Sequence, residues 1–133
     1  MRHKILIVED EMLVAGHLEM LLEDLGHQPV GVAATFHEAR RLAAERPDIA
    51  LVDCNLRDGL TGPEIGAWLT QQGVKVVFMT ANPSVVKAAN NPALGVVSKP
   101  CSEECLTAVM SYVTGRIAGK AVEPPENFFA FTS

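Results

Sequence analysis

Short, uninterrupted apolar runs alternate along this chain with longer segments in which apolar positions recur at helical spacing. Ile5–Val8 reads as a buried strand. Met12–Leu25 reads as a helix with Leu18, Leu21, Leu22 and Leu25 on one face, and Gly26 sits where helices commonly stop. Val30–Ala33 is a second strand. Thr35 and Glu38 have capping-box spacing and open a helix through Ala39, Leu42 and Ala43 to about Arg46, before Pro47. Ile49–Asp53 is a third strand. Thr61 and Glu64 repeat the capping spacing and open a helix to about Gln72, closed by Gly73. Val74–Thr80 is a fourth strand, and the Pro-interrupted "NPSVVKAANNP" leaves room for only a short helix. Gly95–Ser98 is a fifth strand, and "SEECLTAVMSYV" a last helix with Leu106, Val109, Met110 and Val113 in register.

The strands are apolar without alternation, as expected when both faces of a parallel sheet are covered. Strands alternating with helices predict an α/β doubly wound sandwich of five strands with helices on both faces. In such sheets ligands bind beyond the carboxyl ends of the strands. Those ends carry Glu9, Asp10 and Glu11 after the first strand, Asp53 on the third, Thr80 on the fourth, and Ser98, Lys99 and Pro100 at the fifth. The run "ILIVEDE" is otherwise hard to account for. Two carboxylates about 4 Å apart near a surface repel by roughly 4 kcal/mol at an effective dielectric of about 20. The acids either point apart into water or share a cation. Acids facing one crevice, with a single lysine, leave negative charge that a divalent, oxygen-preferring ion would balance, and Mg2+ (or Mn2+) suits such a set. Glu11 reads simply as a favourable acid in a first helical turn.

Composition narrows the classes. At 133 residues the chain fits one domain with a full core. The net charge of −5 argues against nucleic acid as a direct ligand. No apolar run is long enough to span a bilayer, and the basic start is not followed by a signal-peptide core. Cys54, Cys101 and Cys105 form an odd set without CxxC spacing, which points to reduced thiols and a cytoplasmic location. Cys101 and Cys105, one turn apart at the last helix, read as core or surface thiols in preference to redox sensors. His3, His17, His27 and His37 are scattered over different elements and form no constellation.

The ordered pieces "ILIVEDE", "ALVDCNLRDGLTGPEI", "VVFMTAN" and "VVSKP" make the chain resemble the receiver domain of bacterial two-component response regulators, of the stand-alone, single-domain type. The resemblance covers roughly Lys4 to Gly115. It implies a flavodoxin-like sheet of order 2-1-3-4-5. It implies that Asp53 accepts a phosphoryl group, that Glu9 and Asp10 with Asp53 and the Asn55 backbone carbonyl hold Mg2+, and that Thr80 and Lys99 meet the phosphoryl oxygens. It also implies a cis Lys99–Pro100 bond. The donor would be a histidine kinase or phosphotransfer protein and the output a protein contact, with no nucleic acid or membrane involved. The domain would assist its own phosphorylation and dephosphorylation without being an enzyme in its own right. A homodimer through the fourth helix, fifth strand and fifth helix belongs to the same family pattern.

Two features depart from the family. Val96 stands where an aromatic residue usually precedes the lysine by three positions, which keeps open a receiver-fold binding module that works without phosphorylation. An Asp-nucleophile phosphohydrolase is disfavoured, because Asn55 stands where such enzymes place a second acid. The tail is the other departure. Residues 1–118 are read as the receiver and 119–133 as an aromatic extension. Burying a phenylalanine is worth roughly 1.5–3 kcal/mol, so Phe128, Phe129 and Phe131 are expected to dock near the fourth helix and fifth strand, a disordered chain end being the alternative.

Overall fold

A computed structural model of the chain describes residues 2–56, 61–84 and 93–131. The first strand, β1 (Lys4–Val8), lies between β2 (Gln28–Ala33) and β3 (Ile49–Asp53), and β4 (Lys75–Thr80) and β5 (Gly95–Ser98) follow outward on the β3 side. These five strands run parallel in the order 2-1-3-4-5. The sheet therefore has the doubly wound, flavodoxin-like arrangement expected of alternating apolar runs and helices.

Helices cover both faces. α1 (Met12–Asp24) and α4 (Glu103–Ile117) pack with Ile5, Ile7, Leu51, Val77 and Val97 on one side. α2 (Phe36–Leu42) and α3 (Gly62–Gln71) cover the other side, where Leu6, Val52 and Phe78 are buried. Each buried strand thus sends alternate residues into two cores, which is why the strands read as continuous apolar runs.

Local chemistry explains the helix starts. Thr35 caps α2 by accepting the Glu38 N–H at 3.3 Å, and Glu38 reaches back to the Ala34 N–H at 2.7 Å. Thr61 takes the same position before α3 without such a cap bond. Pro63 instead occupies the second position of that helix, its fixed φ matching a helical first turn. Ser102 caps α4 through the Cys105 N–H at 3.0 Å. Cys101 therefore precedes α4 and does not lie on it. The helix expected to reach Arg46 is shorter: α2 passes into a 3-10 turn at Ala43–Glu45, and Arg46 adopts a left-handed φ of 55° before Pro47. The short helix expected in "NPSVVKAANNP" falls largely outside the described residues.

A sixth strand, β6 (Phe128–Ala130), pairs antiparallel with β5, matching Val97 to Phe128, Val96 to Phe129 and Gly95 to Ala130. The tail thereby extends the sheet. Asn127, at a left-handed φ of 64°, starts the strand and accepts the Ser98 N–H at 3.1 Å. Phe128 is 7% exposed and packs on Tyr112 of α4, with ring centroids 4.9 Å apart. Phe131 packs against the opposite core, and its N–H donates to the Leu94 carbonyl at 2.9 Å. Phe128 and Phe131 thus dock on opposite sides of the sheet edge, while Phe129, also expected to dock, stays 44% exposed. Gly95 makes the approach possible, since a Cβ there would run into the Phe129 carbonyl and the Phe128 ring. Among the described residues, no helix is long and apolar enough to cross a membrane.

Candidate functional site

The parallel register brings the carboxyl ends of β1, β3, β4 and β5 to one edge. Glu9 follows β1 and is held there by its N–H, which donates to the Ala33 carbonyl at 2.8 Å. Its side chain is almost wholly buried, at 3% exposure. Glu9 Oε2 accepts the backbone N–H groups of Asp10 at 3.1 Å and Glu11 at 3.2 Å. The other oxygen, Oε1, faces the Lys99 ammonium at 3.2 Å.

Asp53, the last residue of β3, is also buried. Its Oδ1 accepts the Asn55 N–H at 3.1 Å, and its Oδ2 lies 3.1 Å from Lys99 Nζ. Lys99 thus bridges two acids from different strands. One carboxylate oxygen from each of Glu9, Asp10 and Asp53 lies within 4.8 Å of the other two. Thr80 is buried at the end of β4, where its Oγ1 accepts the Asn82 N–H at 3.1 Å and its carbonyl accepts the Lys99 N–H at 2.8 Å. The Lys99–Pro100 peptide is cis.

The electrostatics follow from burial. The Glu9 carboxyl is pushed up to about 7, chiefly by loss of water, with Asp53 adding to the rise and the Glu11 N–H and Lys99 opposing it. Burial works against the charged Lys99, but Asp53 and Glu9 outweigh it and hold the ammonium above its ordinary value. Cys54 lies behind the acids, its thiol pushed up to about 12 by burial and then by the Asp53 charge. It packs in the core beneath the site. With all three acids ionised, one ammonium leaves a net charge of about −2 in the pocket. A largely buried, like-charged, all-oxygen donor set of this kind, with Asp10 at its half-buried edge, suits a hard divalent cation, which would also restore the charge on Glu9.

The expected residues Glu9, Asp10, Asp53, Thr80 and Lys99 therefore converge. Asn55 contributes a backbone N–H to Asp53, and its side chain is exposed. Glu11 is exposed, but it sits at the N-cap before α1 and not in the expected first turn, and its side chain makes no cap bond. Gly62 is a contributor that pattern reading missed. A Cβ at this position would run into the Asp53 carbonyl and the Cys54 Cα, so only glycine lets α3 start against the end of β3. Gly66 repeats the logic one turn later, where a Cβ would strike the Phe78 ring. A glycine followed by proline signals a turn in sequence. Its contact with the backbone of Asp53 becomes visible only once α3 is packed.

The fold and this acidic edge define a receiver-like α/β protein. Residues 5–111 match the family described as "Response regulator receiver domain". The chain belongs to that family. It is similar to the phyllosphere-induced regulator PhyR of Methylorubrum extorquens, 39% identical over 115 residues, covering 84% of this chain and 43% of that protein. It is also 34% identical over 125 residues to the virulence transcriptional regulatory protein PhoP of Salmonella typhimurium, covering 89% of this chain and 54% of PhoP. The chain thus spans about half the length of these relatives. Among solved structures, the receiver domain of Erythrobacter litoralis PhyR superposes with a TM-score of 0.77 at 30% identity, covering 93% of this chain and 96% of that one. A mutant of the anti-anti-sigma factor PhyR from Bartonella quintana gives a TM-score of 0.81 at 29% identity, covering 90% and 51%.

Proposed function

We propose that the chain is a phospho-accepting receiver that takes a phosphoryl group on Asp53 from a histidine kinase or phosphotransfer protein and signals through protein contact. The observation that carries this reading is the Lys99 ammonium bridging Glu9 and Asp53 at the strand ends, with Asp10 beside them and Thr80 buried at the end of the neighbouring strand.

An Asp53 oxygen attacks phosphorus, its bond to phosphorus forms as the bond to the donor's histidine nitrogen breaks, and the imidazole leaves with a proton. Lys99 turns from Asp53 toward the transferred oxygens and neutralises part of their charge. The Thr80 hydroxyl offers a hydrogen bond on the same side. Glu9, Asp10, Asp53 and the Asn55 carbonyl would hold Mg2+ or Mn2+, which when bound neutralises charge on the phosphoryl oxygens. Residues 1–118 form the receiver in this reading and 119–133 an appended tail. The domain assists its own phosphorylation and dephosphorylation and has no separate substrate. A cytoplasmic location fits a partner that is a soluble kinase domain or phosphotransfer protein. A protein output fits the acidic net charge of −5 and the description of the Bartonella relative as an anti-anti-sigma factor.

Val96, fully buried in place of an aromatic residue, favours a second reading as a binding module that works without phosphorylation. Incubation with acetyl phosphate and Mg2+, followed by intact-mass measurement, separates the two. Gain of one phosphoryl group, lost in Asp53→Asn, supports the first. An unmodified chain that still binds its protein partner supports the second.

A further inference from the structure

Cys101 and Cys105 share no element: one ends the loop after β5, the other lies in the first turn of α4. The Ser102 cap nevertheless folds the chain so that the two Sγ atoms touch, 2.7 Å apart. Both are free thiols, and neither is fully buried. Cys101 also lines a cleft of about 620 Å3 together with Leu13, His17, Lys99 and Pro100, which opens that sulfur to small solutes, and Cys105 is itself half-buried. Cysteines far apart in a fold need backbone movement before they can bond. Here the sulfurs already meet, and only one turn of cap separates them.

We propose that Cys101 and Cys105 are an oxidation site, a dithiol that hydroperoxides convert reversibly to a disulfide tying the Lys99–Pro100 loop to the start of α4. In the first step the Cys105 sulfur attacks the peroxide. A sulfur–oxygen bond forms, the oxygen–oxygen bond breaks, and the alcohol (water, for hydrogen peroxide) leaves with the thiol proton. In the second step the Cys101 sulfur attacks the Cys105 sulfenic acid. The sulfur–sulfur bond forms, the sulfur–oxygen bond breaks, and hydroxide leaves as water with the Cys101 proton. The two sulfurs together lose two electrons and the peroxide gains them. Burial and the neighbouring Cys105 push the Cys101 thiol up, in keeping with the second, resolving role. Thiol reductants reverse the bond.

The position gives the bond a consequence. Lys99 is joined to Cys101 through Pro100, and its N–H donates to the Thr80 carbonyl. Pinning Cys101 to α4 restrains that loop. Any effect on phosphoryl transfer rests on the function proposed above, but formation of the bond does not.

The test uses the full chain. The protein is exposed to stoichiometric hydrogen peroxide, quenched, unfolded and alkylated, then mapped by peptide mass spectrometry. The expected result is loss of alkylation at both Cys101 and Cys105 with a single intramolecular linkage, recovery on dithiothreitol treatment, and full alkylation of Cys54. In Cys101→Ser, Cys105 should instead stop at sulfenic acid, trappable with dimedone. Amide NMR of the oxidised protein should shift Lys99 and Cys101 relative to the reduced form, with or without Asp53. The proposal is overturned if both thiols remain alkylatable, if oxidation yields only intermolecular disulfides, or if Cys105 oxidises to the sulfinic acid at the same rate whether or not Cys101 is present.

Discussion

Lys99 Nζ stands 3.1 Å from Asp53 Oδ2, although 46 positions separate the two residues in sequence. The same ammonium meets Glu9, which lies 90 positions away. One cation thus closes a pocket assembled from three strands.

Asp53→Asn should abolish labelling by acetyl phosphate, because an amide of the same shape is a poor nucleophile. The fold should persist, since the Asn55 N–H still finds an acceptor. Lys99→Ala should slow labelling by about 10²-fold, the usual scale for removing one charge-stabilising group, while Mg2+ binding is retained. Intact-mass kinetics with NMR metal titration check both. Retained labelling in Asp53→Asn would move the acceptor elsewhere.

Asp10→Asn should weaken Mg2+ by about tenfold or more, since even outer-shell losses cost that much at metal sites. Amide NMR titration is the readout. An unchanged affinity would exclude Asp10 as a ligand.

The tail strand should contribute to stability. Phe128→Ala removes a ring buried against Tyr112 and should cost about 3 kcal/mol. Gly95→Val should displace β6 altogether, because its side chain would occupy the space of Phe128 and the Phe129 carbonyl. Deleting 124–133 should lower the thermal midpoint about as much as Gly95→Val does. If urea midpoints of all three equal that of the parent chain, β6 adds nothing to the fold.

Stability should fall on the acid side through His27. It is buried, its Nδ1 accepts the His3 N–H at 3.2 Å, and burial followed by the nearby His3 lowers its pKa from 6.5. Between the lowered folded value and 6.5 the unfolded chain binds more protons, so stability rises with pH there. The contribution is complete above pH 6.5 and is lost as pH falls through that value toward the folded one. Urea midpoints across this range should decline, and His27→Gln should flatten that decline. Parallel slopes in the two proteins would assign the loss to other groups.

Much of this was legible in the sequence. Apolar runs such as Ile5–Val8 and Ile49–Val52, each ending at an acid, specify buried parallel strands because both faces must be covered. That rule also names the edge where Glu9, Asp10, Asp53, Thr80 and Lys99 converge. These signals are local: each strand carries its own pattern and its own terminal residue. Tertiary structure decided what depends on distant neighbours. Phe128–Ala130 is too short to show a period, and its place on β5 depends on the open space at Gly95 and the Tyr112 ring. Gly62 matters only because α3 starts against the backbone of Asp53 and Cys54. Cys101 and Cys105 meet because Ser102 caps α4 between them. Glu9 is an acid in any reading, but its shift to about 7 is a property of burial, which exists only once five parallel strands and their helices have closed around it.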